Sequence, residues 1–119
     1  MKEIGHWING KLVAGTSGRF TDVYNPATGE VPAKLALASV AELDAAINDA
    51  AKAQVAWAAT NPQRRARVMM AFGQLINQNM DKLAEMLSRE HGKTIPDAKG
   101  DIQRGLEVIE FCVGAPQML

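Results

Sequence analysis

The sequence has one cysteine, six aromatic residues and no excess charge of either sign. A single thiol, Cys112, excludes an internal disulfide framework and any zinc site built from several cysteines, and it suits a reducing compartment. Thirteen Lys and Arg balance thirteen Asp and Glu, so no global field draws the chain to nucleic acid or anionic lipid. The balance is also local, with four basic and three acidic residues in 1–38 and nine and ten in 39–119. No run approaches the roughly 18 apolar residues of a membrane span. The start, Met1-Lys2-Glu3-Ile4-Gly5-His6, has neither an apolar signal core nor an Arg/Ser-rich transit pattern. A soluble, cytoplasmic protein with no nucleic-acid or membrane partner is expected. Large apolar side chains are scarce too. Of 56 hydrophobic residues 19 are alanine, and Leu, Ile, Val and Phe together number only 27. That share lies close to the roughly 20% edge of globular composition. The large side chains must therefore be arranged economically, or the alanines must pack against something outside this chain.

Residues 1–38 read as β-structure. In His6-Trp7-Ile8-Asn9-Gly10-Lys11-Leu12-Val13 an Asn-Gly pair separates two short apolar runs, and both turn residues tolerate the positive φ of a tight hairpin. A second strand is expected from Phe20 to Tyr24, followed by the turn Asn25-Pro26-Ala27-Thr28-Gly29-Glu30. From Val31 to Leu37 the odd positions Val31, Ala33, Leu35 and Leu37 form a period-two apolar face. Pro32 cannot donate to a ladder, so this strand is an edge or begins after it. Two consecutive hairpins are the expected result.

Residues 39–119 read as helical. Ser39-Val40-Ala41-Glu42 has the form of a capping box, ahead of a face carrying Leu43, Ile47, Ala50 and Trp57. Nine alanines lie between Val40 and Ala59, on several faces, so this helix can approach neighbours closely on more than one side. Asn61 and Pro62 start a second helix, with Met69, Gly73, Ile76 and Met80 on one stripe. Asn77-Gln78-Asn79 offers an interruption, with Asn79 capping a third helix that ends at Gly92. Pro96 opens a fourth, with Ile102, Leu106, Ile109 and Val113 in register, closed by Gly114-Ala115-Pro116.

Candidate chemistry is sparse. Gly92-Lys93-Thr94 resembles the end of a phosphate-binding loop, but the full pattern needs glycine where Leu87 stands, and a strand before it. No G-x-G occurs, so the dinucleotide-binding fingerprint is absent from this stretch. Cys112 has no histidine or lysine within four residues, which favours a buried structural thiol over a nucleophile. His6 and His91 lack metal-ligand spacing, and His91 suits a helix C-terminus. Arg64, Arg65 and Arg67 fall just after Pro62, where the helix dipole opposes cations, and this placement points to acidic partners from elsewhere in the fold. Asp97/Asp101 and Asp81/Glu85 are each four apart, a spacing ordinary on an exposed helix. No catalytic, cofactor-binding or metal residue is assigned.

Several stretches, in order, resemble the N-terminal part of the aldehyde dehydrogenase superfamily. They are Trp7-Ile8-Asn9-Gly10-Lys11, Tyr24-Asn25-Pro26-Ala27-Thr28-Gly29-Glu30 and Glu90-His91-Gly92-Lys93-Thr94. The run Ser88 to Ala98 and the run Gly100-Asp101-Ile102-Gln103-Arg104-Gly105-Leu106-Glu107-Val108-Ile109-Glu110 are most similar to the CoA-acylating methylmalonate-semialdehyde dehydrogenase branch. The resemblance implies an α/β fold in which residues 1–38 supply β-hairpins. Residues 39–119 would then supply about four helices flanking a nucleotide-binding sheet built from later sequence.

It also implies a parent enzyme that oxidises methylmalonate or malonate semialdehyde with NAD and decarboxylation, passing the acyl group from a cysteine thioester to coenzyme A. The family's nucleophile, cofactor glycines and oxyanion asparagine come later in the chain, and Cys112 is not at the nucleophile's position. The expected partners are the rest of that fold and further copies in a homo-oligomer. The chain is accordingly expected to be inactive alone. Two further readings stand beside this one: a non-catalytic assembly or regulatory module, and an unrelated helical binding module.

Overall fold

The computed structural model describes residues 1–119 as two compact units, Met1–Ala59 and Thr60–Leu119. The first contains strands β1 (Lys2–Ile4), β2 (His6–Ile8), β3 (Lys11–Val13), β4 (Phe20–Val23) and β5 (Ala33–Ala36), then helix α1 (Val40–Ala59). The Asn-Gly turn forms as expected: Asn9 and Gly10 have φ of 51° and 72°, and β2 pairs antiparallel with β3, His6 opposite Val13. A second antiparallel pair joins β4 to β5, Phe20 opposite Ala36. Its turn is closed by the Asn25 N–H donating to the Glu30 carbonyl at 2.8 Å and by the Asn25 side chain accepting from the Ala27 N–H at 2.9 Å.

Two points depart from expectation. Lys2–Ile4, too short to show any alternation, forms a strand that pairs parallel with β5, so β5 is central in the order β1-β5-β4 and is not an edge. Of the two expected alternatives the second holds: the strand begins after Pro32, whose carbonyl accepts from the Lys2 N–H at 3.2 Å. Nor is the apolar face confined to odd positions. Ala36 is buried alongside Ala33, because Gly15 presses on the opposite face, so closely that a Cβ there would stand 2.8 Å from the Ala36 Cβ.

The capping box of α1 closes in both directions. Ser39 N–H donates to Glu42 Oε2 at 2.8 Å, and Glu42 N–H donates to Ser39 Oγ at 3.2 Å. None of the residues of α1 is buried.

The second unit holds α2 (Pro62–Gln78), α3 (Met80–His91), α4 (Ile95–Val113) and a short 3₁₀ turn, Ala115–Met118. Asn61 caps α2, its side chain accepting from the Gln63 N–H at 2.9 Å, and Pro62 stands in the first turn. The expected cap of α3 does not form. The Asn79 side chain instead donates to the Leu75 carbonyl at 2.8 Å, closing the end of α2. With φ −110° and ψ 15°, Asn79 is not in the extended conformation that aims an N-cap side chain forward. Helix α4 packs against both α2 and α3. Its buried residues are Ala98, Leu106 and Ile109, and Ala84 of α3 is fully buried with them. Small side chains at 84 and 98 let the helix pair approach closely. Buried alanine is thus found on α3, α4 and β5, and not on the alanine-rich α1. No helix is long and apolar enough to cross a membrane.

Candidate functional site at the α3–α4 turn

The segment Ser88–Asp101 gathers Gly92, Lys93, Thr94, Asp97 and Asp101 of the residues singled out from the sequence. Gly92 ends α3 with φ 80°, and its N–H donates to the Ser88 carbonyl at 2.8 Å. Ser88 Oγ donates to the Lys93 carbonyl at 2.7 Å, and Lys93 Nζ reaches across to the Asp101 carboxylate on α4. Thr94 caps α4, accepting from the Asp97 N–H at 3.3 Å while its hydroxyl donates to the Asp97 carboxylate at 2.8 Å. Every member of Gly92-Lys93-Thr94 is therefore committed to joining two helices. A phosphate loop would need free N–H groups in a glycine-rich turn after a strand.

Asp101 is the hub of this turn. It accepts from Lys93 and, at 2.8 Å, from Arg104. The hydrogen bond from Lys93, reinforced by its charge and that of Arg104, outweighs the burial of the carboxyl and holds its pKa below the ordinary aspartate value. Asp81, on α3, pairs with Lys99 at 2.6 Å. The carboxylates at 81, 97 and 101 thus each bind a neighbour within the helical unit, and those at 81 and 97 stay exposed, as on an ordinary helix face. A capping pattern, Thr94-x-x-Asp97, was present in the sequence to signal the start of α4; Lys93–Asp101 carried no comparable local signal.

The remaining candidates stay apart. Cys112 is half-buried near the end of α4, not buried as expected, because it lies at the edge of the stripe that buries Ala98, Leu106 and Ile109. His91 is exposed in the last turn of α3 beside Arg89, where the dipole favours positive charge. The His6 Nε2 atom is buried without a hydrogen-bond partner, close to Gly15. Histidine, cysteine and carboxylates do not cluster with the geometry of a metal site. Arg64, Arg65 and Arg67 meet no carboxylate within this chain: the ion pairs run between other residues, and α2 has no acidic residue of its own to offer.

The chain is thus an α/β arrangement of short sheets followed by four helices, three of them capped by side chains, with the two motif turns used as joints. The aldehyde dehydrogenase family model matches residues 12–119, and the chain belongs to that family. Within it, the chain is 44% identical over its full 119 residues to a malonate-semialdehyde dehydrogenase of Pseudomonas aeruginosa, covering 24% of that protein. A Sinorhizobium meliloti structure assigned to methylmalonate-semialdehyde dehydrogenase and complexed with NAD is 68% identical, with a TM-score of 0.95 over 98% of this chain and 24% of that one. A methylmalonate-semialdehyde dehydrogenase from Oceanimonas doudoroffii superposes with a TM-score of 0.96 at 44% identity, over the whole of this chain and 24% of its own. The chain thus spans about a quarter of the length of its relatives.

Proposed function

We propose that the chain is the N-terminal portion of a methylmalonate- or malonate-semialdehyde dehydrogenase that is NAD-dependent, CoA-acylating and cytoplasmic. In this reading residues 1–38 are its β-hairpin segment and residues 39–119 the helical part of its NAD-binding domain. The observation that supports it is the end-to-end match to semialdehyde dehydrogenases four times as long. The parent reaction is covalent: a cysteine attacks the aldehyde, hydride leaves to the nicotinamide, and a thioester is passed on.

The residues of this chain do not fit NAD or coenzyme A on their own. Gly92-Lys93-Thr94, the one stretch with the composition of a phosphate cradle, spends its groups on helix capping and on Asp101. The contribution of the chain is a scaffold, and it supplies neither nucleophile nor cofactor contact. Purified alone, it is expected to give no NADH absorbance with malonate semialdehyde, NAD and coenzyme A. Measurable turnover by the 119 residues contradicts this. A reading frame that continues past Leu119 into cofactor and cysteine motifs supports the parent enzyme, whereas an immediate stop codon favours a non-catalytic assembly module.

A further inference from the structure

The first half of α2 carries three arginines and no acid, in Pro62-Gln63-Arg64-Arg65-Ala66-Arg67. Cations in the opening turns of a helix stand against its dipole, and only an anion brought from outside the helix offsets that. The helical unit does not supply one: its ion pairs join Asp81 to Lys99 and Asp101 to Lys93 and Arg104, and neither these carboxylates nor those of Glu85, Glu90, Asp97, Glu107 and Glu110 pair with an arginine of α2. Arg65 has its Nε buried without a hydrogen-bond partner and is turned away from the face that Arg64 and Arg67 share. Arg64 and Arg67 are exposed.

Two features decide what kind of anion fits. At 3.6 residues per turn, Arg64 and Arg67 lie about 60° apart around the helix, while Arg65 is about 100° from Arg64 and about 160° from Arg67. Arg64 and Arg67 therefore share one face as i, i+3 neighbours while Arg65 lies off it, and each of the two presents its own fork to a carboxylate. Beside Arg67 lies an open groove of about 250 Å³ between α2 and the 3₁₀ turn, whose lining includes Ala66, Met70, Val113 and Pro116. A cation at the rim of an apolar groove is complementary to a polypeptide carrying both an acidic and an aliphatic side chain.

We propose that this face of α2 docks an acidic, apolar-anchored segment of polypeptide, with carboxylates on Arg64 and Arg67 and an aliphatic side chain in the groove. The proposal rests on the reading above, in which the rest of the dehydrogenase fold supplies that segment. Its test needs no catalysis, so absence of semialdehyde turnover in a longer protein would sink the proposed activity while leaving this result standing.

The probe is a fluorescein-labelled peptide alternating Leu and Glu, titrated with the full chain by fluorescence anisotropy, with a Leu/Gln peptide as control. The Leu/Glu peptide is expected to bind at least about tenfold more tightly than the control, and to weaken as salt rises from about 0.05 to about 0.3 M. Arg64→Gln with Arg67→Gln, which keeps helix propensity and is checked by circular dichroism, should remove about tenfold of that affinity. Arg89→Gln, at the far end of α3, should not. Equal binding of the two peptides, equal loss with Arg89→Gln, or displacement of the peptide by equimolar coenzyme A would overturn the proposal.

Discussion

Glu42 shows how one side chain can join segments far apart in sequence. Its Oε2 closes the capping box on Ser39, and its Oε1 accepts from the Thr16 N–H at 2.7 Å, 26 residues away. Beside it the Ser17 hydroxyl donates to the Leu37 carbonyl, and Arg19 Nη2 donates to the Ala38 carbonyl at 2.8 Å. The loop before β4 is thereby fastened to the start of α1. The backbone N–H groups of Ser39 and Thr16 hold the Glu42 pKa down from 4.5 to about 2. A depressed folded-state pKa stabilises the fold above the unfolded value and loses that contribution as pH falls through the folded one. Glu42→Gln should therefore destabilise the chain near neutral pH, with the difference from wild type shrinking between about pH 4.5 and about pH 2. Urea unfolding at a series of pH values reads this directly, and a difference independent of pH would refute it. Gly92 makes a simpler case. At φ 80° a side chain is strained, so Gly92→Ala should cost about 1 kcal/mol and lower the melting temperature by several degrees.

At the scale of elements, the caps distinguish two asparagines that look alike in sequence. Asn61 accepts from the chain ahead of it, so Asn61→Ala should cost about 1 kcal/mol, while Asn61→Asp should be close to neutral. Asn79 donates to the chain behind it, so Asn79→Asp removes the donor and sets a negative charge at the carbonyl end of α2. A series of melts should show the second Asp variant as the damaging one; an equal or stabilising effect would restore Asn79 to the N-cap role read from the sequence.

What was legible follows from range. Asn9-Gly10, Ser39/Glu42, Asn61-Pro62 and Gly92 act within a few residues, and their chemistry shows in a short window. Strand β1 was not legible, because its partner β5 lies some thirty positions on and three residues carry no period. Neither was Lys93–Asp101, where the pairing depends on how α3 and α4 cross. In the proposed reading the functional residues of the family lie outside these 119 positions, and the motifs that carry the resemblance serve as the joints of a scaffold.

The whole molecule has more surface than its mass accounts for. Two independent units of half this mass would each expose about 3,800 Å², or about 7,600 Å² together. The chain exposes 8900 Å². Much of the excess is apolar: in α1 alone Leu43, Ile47 and Val55 are 55%, 57% and 71% exposed, and Trp57 is 43% exposed. No side chain larger than alanine is buried beyond 98%, so neither unit has the core that a stable small domain needs. Apolar surface left in water drives association, and the balanced charge of the chain supplies no repulsion to oppose it. The purified chain should therefore self-associate as concentration rises and unfold over a broad, low-temperature range. Ile47→Lys with Val55→Glu should shift sedimentation toward the monomer without adding stability, since these side chains make no buried contact to lose. A sharp high-temperature melt of a monomer at every concentration would mean that the thin core suffices, and would turn the missing three-quarters of the relatives' length from a requirement of folding into one of catalysis alone.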